Sequence, residues 1–121
     1  KFSLCQCLEV AEHIKDEYSD TLIRNLCIHS DVVFFSAASV GQGGENHVNE
    51  KPYSYWKNKF HSNDYDMFDP IRSRLVKHNE VKVWYKNNIF IFVRKGTKYS
   101  DILSDFKVES DHDIKGFGTD K

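Results

Sequence analysis

The chain has 121 residues, 40% of them hydrophobic and 14% aromatic, enough for a packed core in one domain or part of one. Its 17 Lys and Arg against 18 Asp and Glu give a formal net charge of −1, which provides no basic surface to offset nucleic-acid phosphates beyond a local patch. No apolar run reaches the roughly 20 residues of a membrane helix and no secretory leader is evident, so a reducing cytoplasm is the expected setting.

The sequence opens at Lys1, without Met, almost directly on an apolar stretch. Phe2 to Leu8 is interrupted only by Ser3 and Gln6, the pattern of a strand buried on both faces of a parallel sheet. Domains seldom begin inside a core strand, so Lys1 is expected to be a truncation point. On such a strand Cys5 and Cys7 share one face. With Cys27 the cysteines number three, an odd count that does not fit a secreted disulfide framework. Two small buried residues are expected at Cys5 and Cys7, a metal or redox pair being the alternative.

Glu9 to His13 reads as a turn. Asp16 or Ser19 is positioned to cap a helix running to about Cys27, with Tyr18, Leu22, Ile23 and Leu26 on one apolar face. Val32 to Ala37 is a second buried strand, and strand–helix–strand over this span predicts a βαβ unit with parallel strands. Residues 38–51 form a long loop whose Gly41-Gln42-Gly43-Gly44 favours neither helix nor strand. A loop of that length after a parallel strand lies where α/β folds bind ligands.

Pro52 suits a helix's first turn, and Tyr53, Trp56 and Phe60 make an apolar stripe to about Ser62. Tyr65 to Phe68 is a short strand, Asp69-Pro70 a turn or cap, and Ile71 to Lys77 a short helix. Val81 to Tyr85 fits either element. Asn87-Asn88 reads as a turn before the strand Ile89 to Val93. From Gly96 onward Asp, Ser, Lys and Gly dominate, which predicts a mobile polar tail with at most one weak amphipathic turn.

Three pieces together carry a resemblance. The run Leu4-Cys5-Gln6-Cys7-Leu8-Glu9-Val10-Ala11-Glu12-His13 resembles the hydrophobic strand and E-V-x-E-H turn after the fourth strand of class I S-adenosylmethionine-dependent methyltransferases. Val33 to Ala38, Gly41-Gln42-Gly43-Gly44 and His47-Val48-Asn49-Glu50 resemble the fifth strand and substrate-side loop of a small-molecule subgroup. Tyr55-Trp56, Phe60, Tyr65, Ile71-Arg72, Trp84-Tyr85 and Asn88, followed by Ile89 to Val93, resemble that subgroup's final helix and strand pair.

The resemblance covers about Phe2 to Lys95 and implies an α/β fold, the C-terminal part of a Rossmann-like seven-stranded sheet with flanking helices. It divides the chain into residues 1–95, the C-terminal half of a methyltransferase domain, and residues 96–121, the polar tail. It implies that the first two strands lie side by side, with the last strand inserted antiparallel before the sixth. The family's glycine-rich turn after the first strand and acidic residue after the second are absent. Gly41 to Gly44 does not replace that turn, because no strand-turn-helix of the right order surrounds it. The implied cofactor is S-adenosylmethionine and the implied partners are a small-molecule acceptor and the missing N-terminal half, in the same parent chain or a partner chain. This 121-residue piece is expected to be inactive alone.

Methyl transfer from a sulfonium needs little beyond positioning the nucleophile and removing its proton. By the resemblance, Cys7, Leu8 and Glu9 lie alongside the cofactor. His47, in the glycine-rich loop, is the candidate general base because an imidazole is the side chain suited to proton transfer near neutral pH. Ala38, Gln42, Asn49, Glu50 and Tyr55 are candidate acceptor contacts, although Gln42, Asn49 and Glu50 are equally suited to holding loop backbone, and Trp56 reads as core. The resemblance also implies a divalent metal set of Glu9, Glu12, His13 and His47, carboxylate and imidazole donors suiting such ions. In relatives without metal, Glu12 and His13 cap a helix or bond across the loop. His29, His61, His78 and His112 are expected to be solvated. Two other readings stay open: a non-catalytic partner or half-domain of a split enzyme, and an independent metal-dependent enzyme built on the same four residues.

A half-sheet leaves the strand of Cys5 and Cys7 unpaired along one edge. The isolated chain is therefore expected to be marginally stable. A cooperative thermal transition at high temperature, followed by circular dichroism, would contradict this.

Overall fold

The computed structural model describes residues 1–114. Strand β1 (Cys5–Leu8) leads through two short 3-10 turns into helix α1 (Ser19–His29) and strand β2 (Val32–Ser36). Helix α2 (Tyr53–His61), strand β3 (Tyr65–Phe68), short helices α3 (Arg72–Leu75) and α4 (Val83–Asn88), strand β4 (Phe90–Arg94) and helix α5 (Lys98–Ile102) follow. The result is an α/β fold around one four-stranded mixed sheet in the order β1-β2-β4-β3. β1 and β2 are parallel, with Cys5 opposite Val33 and Leu8 opposite Ser36. β4 runs antiparallel to both β2 and β3. This is the order implied above for the last strands of the family's sheet, but the described residues hold four strands, not seven.

The sequence pattern explains the sheet. Phe90 to Val93 are all buried, as a strand with neighbours on both sides and cover on both faces requires. On one face Phe35 of β2 meets Trp56 and Phe60 of α2 and Phe92 of β4, with the Phe60 and Phe92 rings stacked 3.8 Å apart at 9°. Such pairs add about 0.5–1.5 kcal/mol each beyond burial itself. The stripe Tyr53, Trp56, Phe60 thus turns inward as its helical spacing predicts, and Trp56 is core. The other face packs Phe68, Ile91 and Val93 under Leu103 and Phe106. At the far end Arg94 donates to Asp31 at 2.8 Å and to the Cys27 carbonyl at 3.0 Å, satisfying one of the acceptors that the end of α1 leaves open.

Several local expectations change. β1 begins at Cys5; exposed Phe2 makes only an isolated bridge to Ser30. Neither Asp16 nor Ser19 caps α1, because each is engaged elsewhere. Asp16 accepts the Tyr55 hydroxyl, and Ser19 Oγ accepts Asn49 Nδ2 at 3.0 Å. Pro52 stands just before α2 rather than in its first turn. The stretch that fitted either element becomes α4, and Asn87-Asn88 is its last turn, not a free turn.

The expected polar tail is also corrected over its described part, while residues 115–121 lie outside the described residues. Beyond Gly96 the chain forms α5 and then pairs with β3: Asp69 N–H donates to the Phe106 carbonyl and Val108 N–H to the Met67 carbonyl, both at 2.9 Å. Val108 is buried, so the scattered apolar residues of this segment cover the outer edge of β3. No helix among the described residues is long and apolar enough to cross a membrane.

Two substitutions measure these layers. Phe92→Ala should cost about 3–5 kcal/mol in denaturant unfolding. Val108→Asp should cost more than about 2 kcal/mol by burying a charge; a free tail would leave the midpoint unchanged.

Candidate functional site

Parallel strands β1 and β2 end on the same side of the sheet, and a cavity of about 1020 Å³ opens there. Glu9, Glu12 and His13, from the turn after β1, form one wall. Val40 to Gly44 and His47, from the loop after β2, form the second. Tyr53 of α2, Arg72 of α3 and Trp84, Asn87 and Asn88 of α4 close the third. Because β4 is antiparallel, it starts where β1 and β2 stop, so α4 delivers Asn88 to the mouth of the parallel strands.

Glu12 is 1% exposed. Its Oε1 accepts the Ala38 N–H at 3.2 Å, and its backbone carbonyl accepts Val48 N–H at 2.9 Å and Asn49 N–H at 3.0 Å. Its Oε2 faces two imidazoles, His47 Nε2 at 3.7 Å and His13 Nε2 at 3.8 Å, whose rings meet edge to face at 4.9 Å. The outer nitrogens are held too: His13 Nδ1 lies 3.2 Å from the Asn46 carbonyl and His47 Nδ1 lies 2.8 Å from Glu50 Oε2. Both outer partners are acceptors, so each of these contacts is one that an Nδ1–H donates, and each Nε2 is turned toward Glu12. The three donor atoms lie within 4.8 Å of one another, a carboxylate and two imidazoles of the kind that ligate divalent ions.

Glu9 stands apart from that set. Its φ of 57° turns the chain sharply after β1, and its N–H is held by the Ser36 carbonyl at 2.8 Å. Its carboxyl group receives Asn88 Nδ2 at 3.3 Å and Gln42 Nε2 at 3.4 Å, while Asn88 Nδ2 also reaches Gln42 Oε1 at 2.8 Å. Tyr53 donates to Asn88 Oδ1 at 2.6 Å. Burial raises the Glu9 pKa; bonds from Ser36, Asn88 and Gln42 oppose that, and the nearby Glu12 charge adds to it. Of the expected metal set, the structure brings Glu12, His13 and His47 together and leaves Glu9 to the amides.

The remaining expected residues divide. Gln42 faces the cavity, and Glu9 lies on its wall next to the end of β1. Cys7 and Leu8 lead up to that wall, Cys7 being buried in the core with its thiol pushed up to about 11 by burial. Ala38 is fully buried and offers the site its N–H through Glu12. Asn49 is buried behind the loop on Ser19. Glu50 holds the backbone of Gly41 and Gly43 as well as His47. Tyr55 points away, to Asp16, with Lys51 and Lys59 over its ring. His29, His61, His78 and His112 are exposed, as expected.

Sequence reasoning missed Tyr53, Arg72, Trp84 and Asn88 as site residues. Tyr53 was hidden in the apolar stripe. Arg72 is 1% exposed and lies 4.9 Å from the Phe90 ring centre, with Nε donating to the Asn87 carbonyl at 2.7 Å and Nη1 to Asp69 at 2.9 Å. Beyond its place in the Ile71-Arg72 piece of the resemblance, its sequence signal was a long cation beside an apolar residue, which most surface arginines share. No protein family matches the sequence, and neither a curated protein nor a solved structure shows significant similarity to it.

Two measurements probe this geometry. Burial keeps Cys7 and Cys27 as neutral thiols, with Cys27 pushed up to about 12. Alkylation at about pH 8, read by mass spectrometry, should label partly exposed Cys5 and spare both in the folded protein. The raised Glu9 pKa means the folded state holds a proton the unfolded chain releases, so stability falls as pH rises through that window. Glu9→Gln should therefore gain stability relative to wild type from about pH 4 toward neutrality; a difference independent of pH would refute it.

Proposed function

We propose that this chain is the acceptor-side half of an S-adenosylmethionine-dependent methyltransferase domain that acts on a small-molecule or sugar-type acceptor in the cytoplasm. One observation carries the reading: an antiparallel last strand lies between β2 and β3, and a cavity opens at the carboxyl ends of the parallel pair. β1 is the open edge of the described sheet. The neighbouring strands of the seven-stranded whole, with the glycine-rich turn, would pair there, from the same parent chain or a partner chain. The cavity's size suits a small molecule, and a net charge of −1 gives the chain no overall positive excess for nucleic acid.

The cofactor supplies an activated methyl group on a positively charged sulfur. This chain's residues supply position and proton handling. Glu9, on the cavity wall just after Leu8, would face the donor, and Gln42 and Asn88 would offer amide groups to an acceptor's polar atoms. Glu12, His13 and His47 would hold a divalent ion, which lowers the pKa of a hydroxyl bound to it. Ligation and base catalysis compete for Nε2 of His47. Without an ion, that nitrogen accepts the acceptor's proton, and the carboxyl groups of Glu12 and Glu50 stabilise the resulting cation.

Calorimetric titration of S-adenosylhomocysteine tests the reading. The 121-residue chain alone should show no heat, and the chain joined to a half bearing the glycine-rich turn should bind at micromolar concentration, about 8 kcal/mol. Binding by this chain alone would remove the need for that turn. No binding in either arm, with folded protein, would end the methyltransferase reading.

A further inference from the structure

Glu50 sits at the far end of the 38–51 loop, yet it touches both of the loop's functions. Its Oε1 accepts the Gly41 N–H at 3.0 Å, and its Oε2 accepts the Gly43 N–H at 2.8 Å and His47 Nδ1 at 2.8 Å. Gly41 and Gly43 have φ of 84° and 78°, left-handed conformations that let their N–H groups converge on one carboxylate. Gly44 forms the seat of the imidazole: a Cβ there would stand 2.6 Å from His47 Cε1 and 2.7 Å from Nε2. The ring is therefore held by Glu50 at Nδ1, by the Gly44 backbone against its side and by the edge contact with His13. With Nδ1 turned to the Glu50 carboxylate, Nε2 is aimed at Glu12.

Resting on the metal reading above, we propose that Glu50 is a positioning residue that couples the Glu12–His13–His47 centre to the glycine loop. The carboxylate that aims His47 is also the one that folds the Gly41–Gly43 wall of the cavity. An ion at the centre and the shape of the acceptor cavity are then linked, and the linkage is reciprocal: whatever stabilises one stabilises the other. The chemistry is that of a carboxylate–histidine–metal relay, in which the outer carboxylate raises the basicity of the ligand and fixes its tautomer. A carboxylate serving only to fold the loop would leave ion affinity untouched.

Zinc titration by calorimetry and amide hydrogen exchange over residues 38–51 test the coupling on the full chain. Wild type should bind one ion, and the ion should slow exchange at Gly41 and Gly43. Glu50→Gln keeps a neutral acceptor, and it should weaken zinc by about ten- to a hundredfold and abolish the ion-dependent slowing. Gly44→Ala leaves Glu50 in place but displaces the ring, and should weaken zinc as well. Unchanged zinc affinity in folded Glu50→Gln overturns the coupling and leaves the metal centre standing. No zinc binding by folded wild type removes the centre and the coupling together. Should Glu50→Gln fail to fold, the wild-type exchange decides alone: slowing at Gly41 and Gly43 supports the coupling, and its absence overturns it.

Discussion

The Glu12 carboxyl group, buried in the turn after β1, organises the functional end of this molecule. A buried polar group of this kind costs several kcal/mol when left without partners, and the chain answers from three directions. The end of β2 offers the Ala38 N–H to the side chain, the far part of the loop offers Val48 and Asn49 to the backbone carbonyl, and two histidines flank the free oxygen. Those contacts bring the distant end of a fourteen-residue loop back over the first strand. The cavity exists because the loop is pinned there and folds outward between Ser39 and His47.

Strand order does the rest. With β4 antiparallel in the middle of the sheet, its start lies beside the ends of β1 and β2. Asn88, two residues before it, therefore meets Glu9, some eighty positions earlier in the chain. The far end of β4 has the opposite duty: Arg94 closes the end of α1 through the Cys27 carbonyl and Asp31. One short strand thus links the polar site at one pole to helix termination at the other. Its own four buried apolar residues stay sandwiched between two hydrophobic layers.

Two polar centres share the cavity and differ in kind. Glu12, His13 and His47 converge as electron-pair donors, whereas Glu9 faces the amide groups of Gln42 and Asn88, which donate hydrogen bonds. Only two residues of the turn, Val10 and Ala11, separate Glu9 from Glu12, and the positive φ of Glu9 sends the two carboxyl groups to different neighbours. The resemblance groups Glu9 with the metal ligands, but the described geometry gathers only Glu12, His13 and His47, because the backbone reversal at Glu9 turns its side chain to the amides.

The sequence by itself determined the parallel pair of strands, the inward stripe of α2, the strand at β4 and the 38–51 loop at the carboxyl ends of the parallel strands, because apolar periodicity and glycine content are local quantities. It also marked His47 and Gln42 as cavity residues, since both stand in that loop. What only the tertiary structure decided are the partners of polar side chains. Ser19 serves Asn49 rather than capping α1, Tyr55 turns to Asp16, Asn88 leaves an expected turn for the cavity wall, and Val108 makes an expected tail part of the core. Each of those outcomes depends on a group far away in sequence. A hydrogen bond or a buried methyl is settled by which surfaces the sheet order brings together, and no pattern read along the chain contains that order.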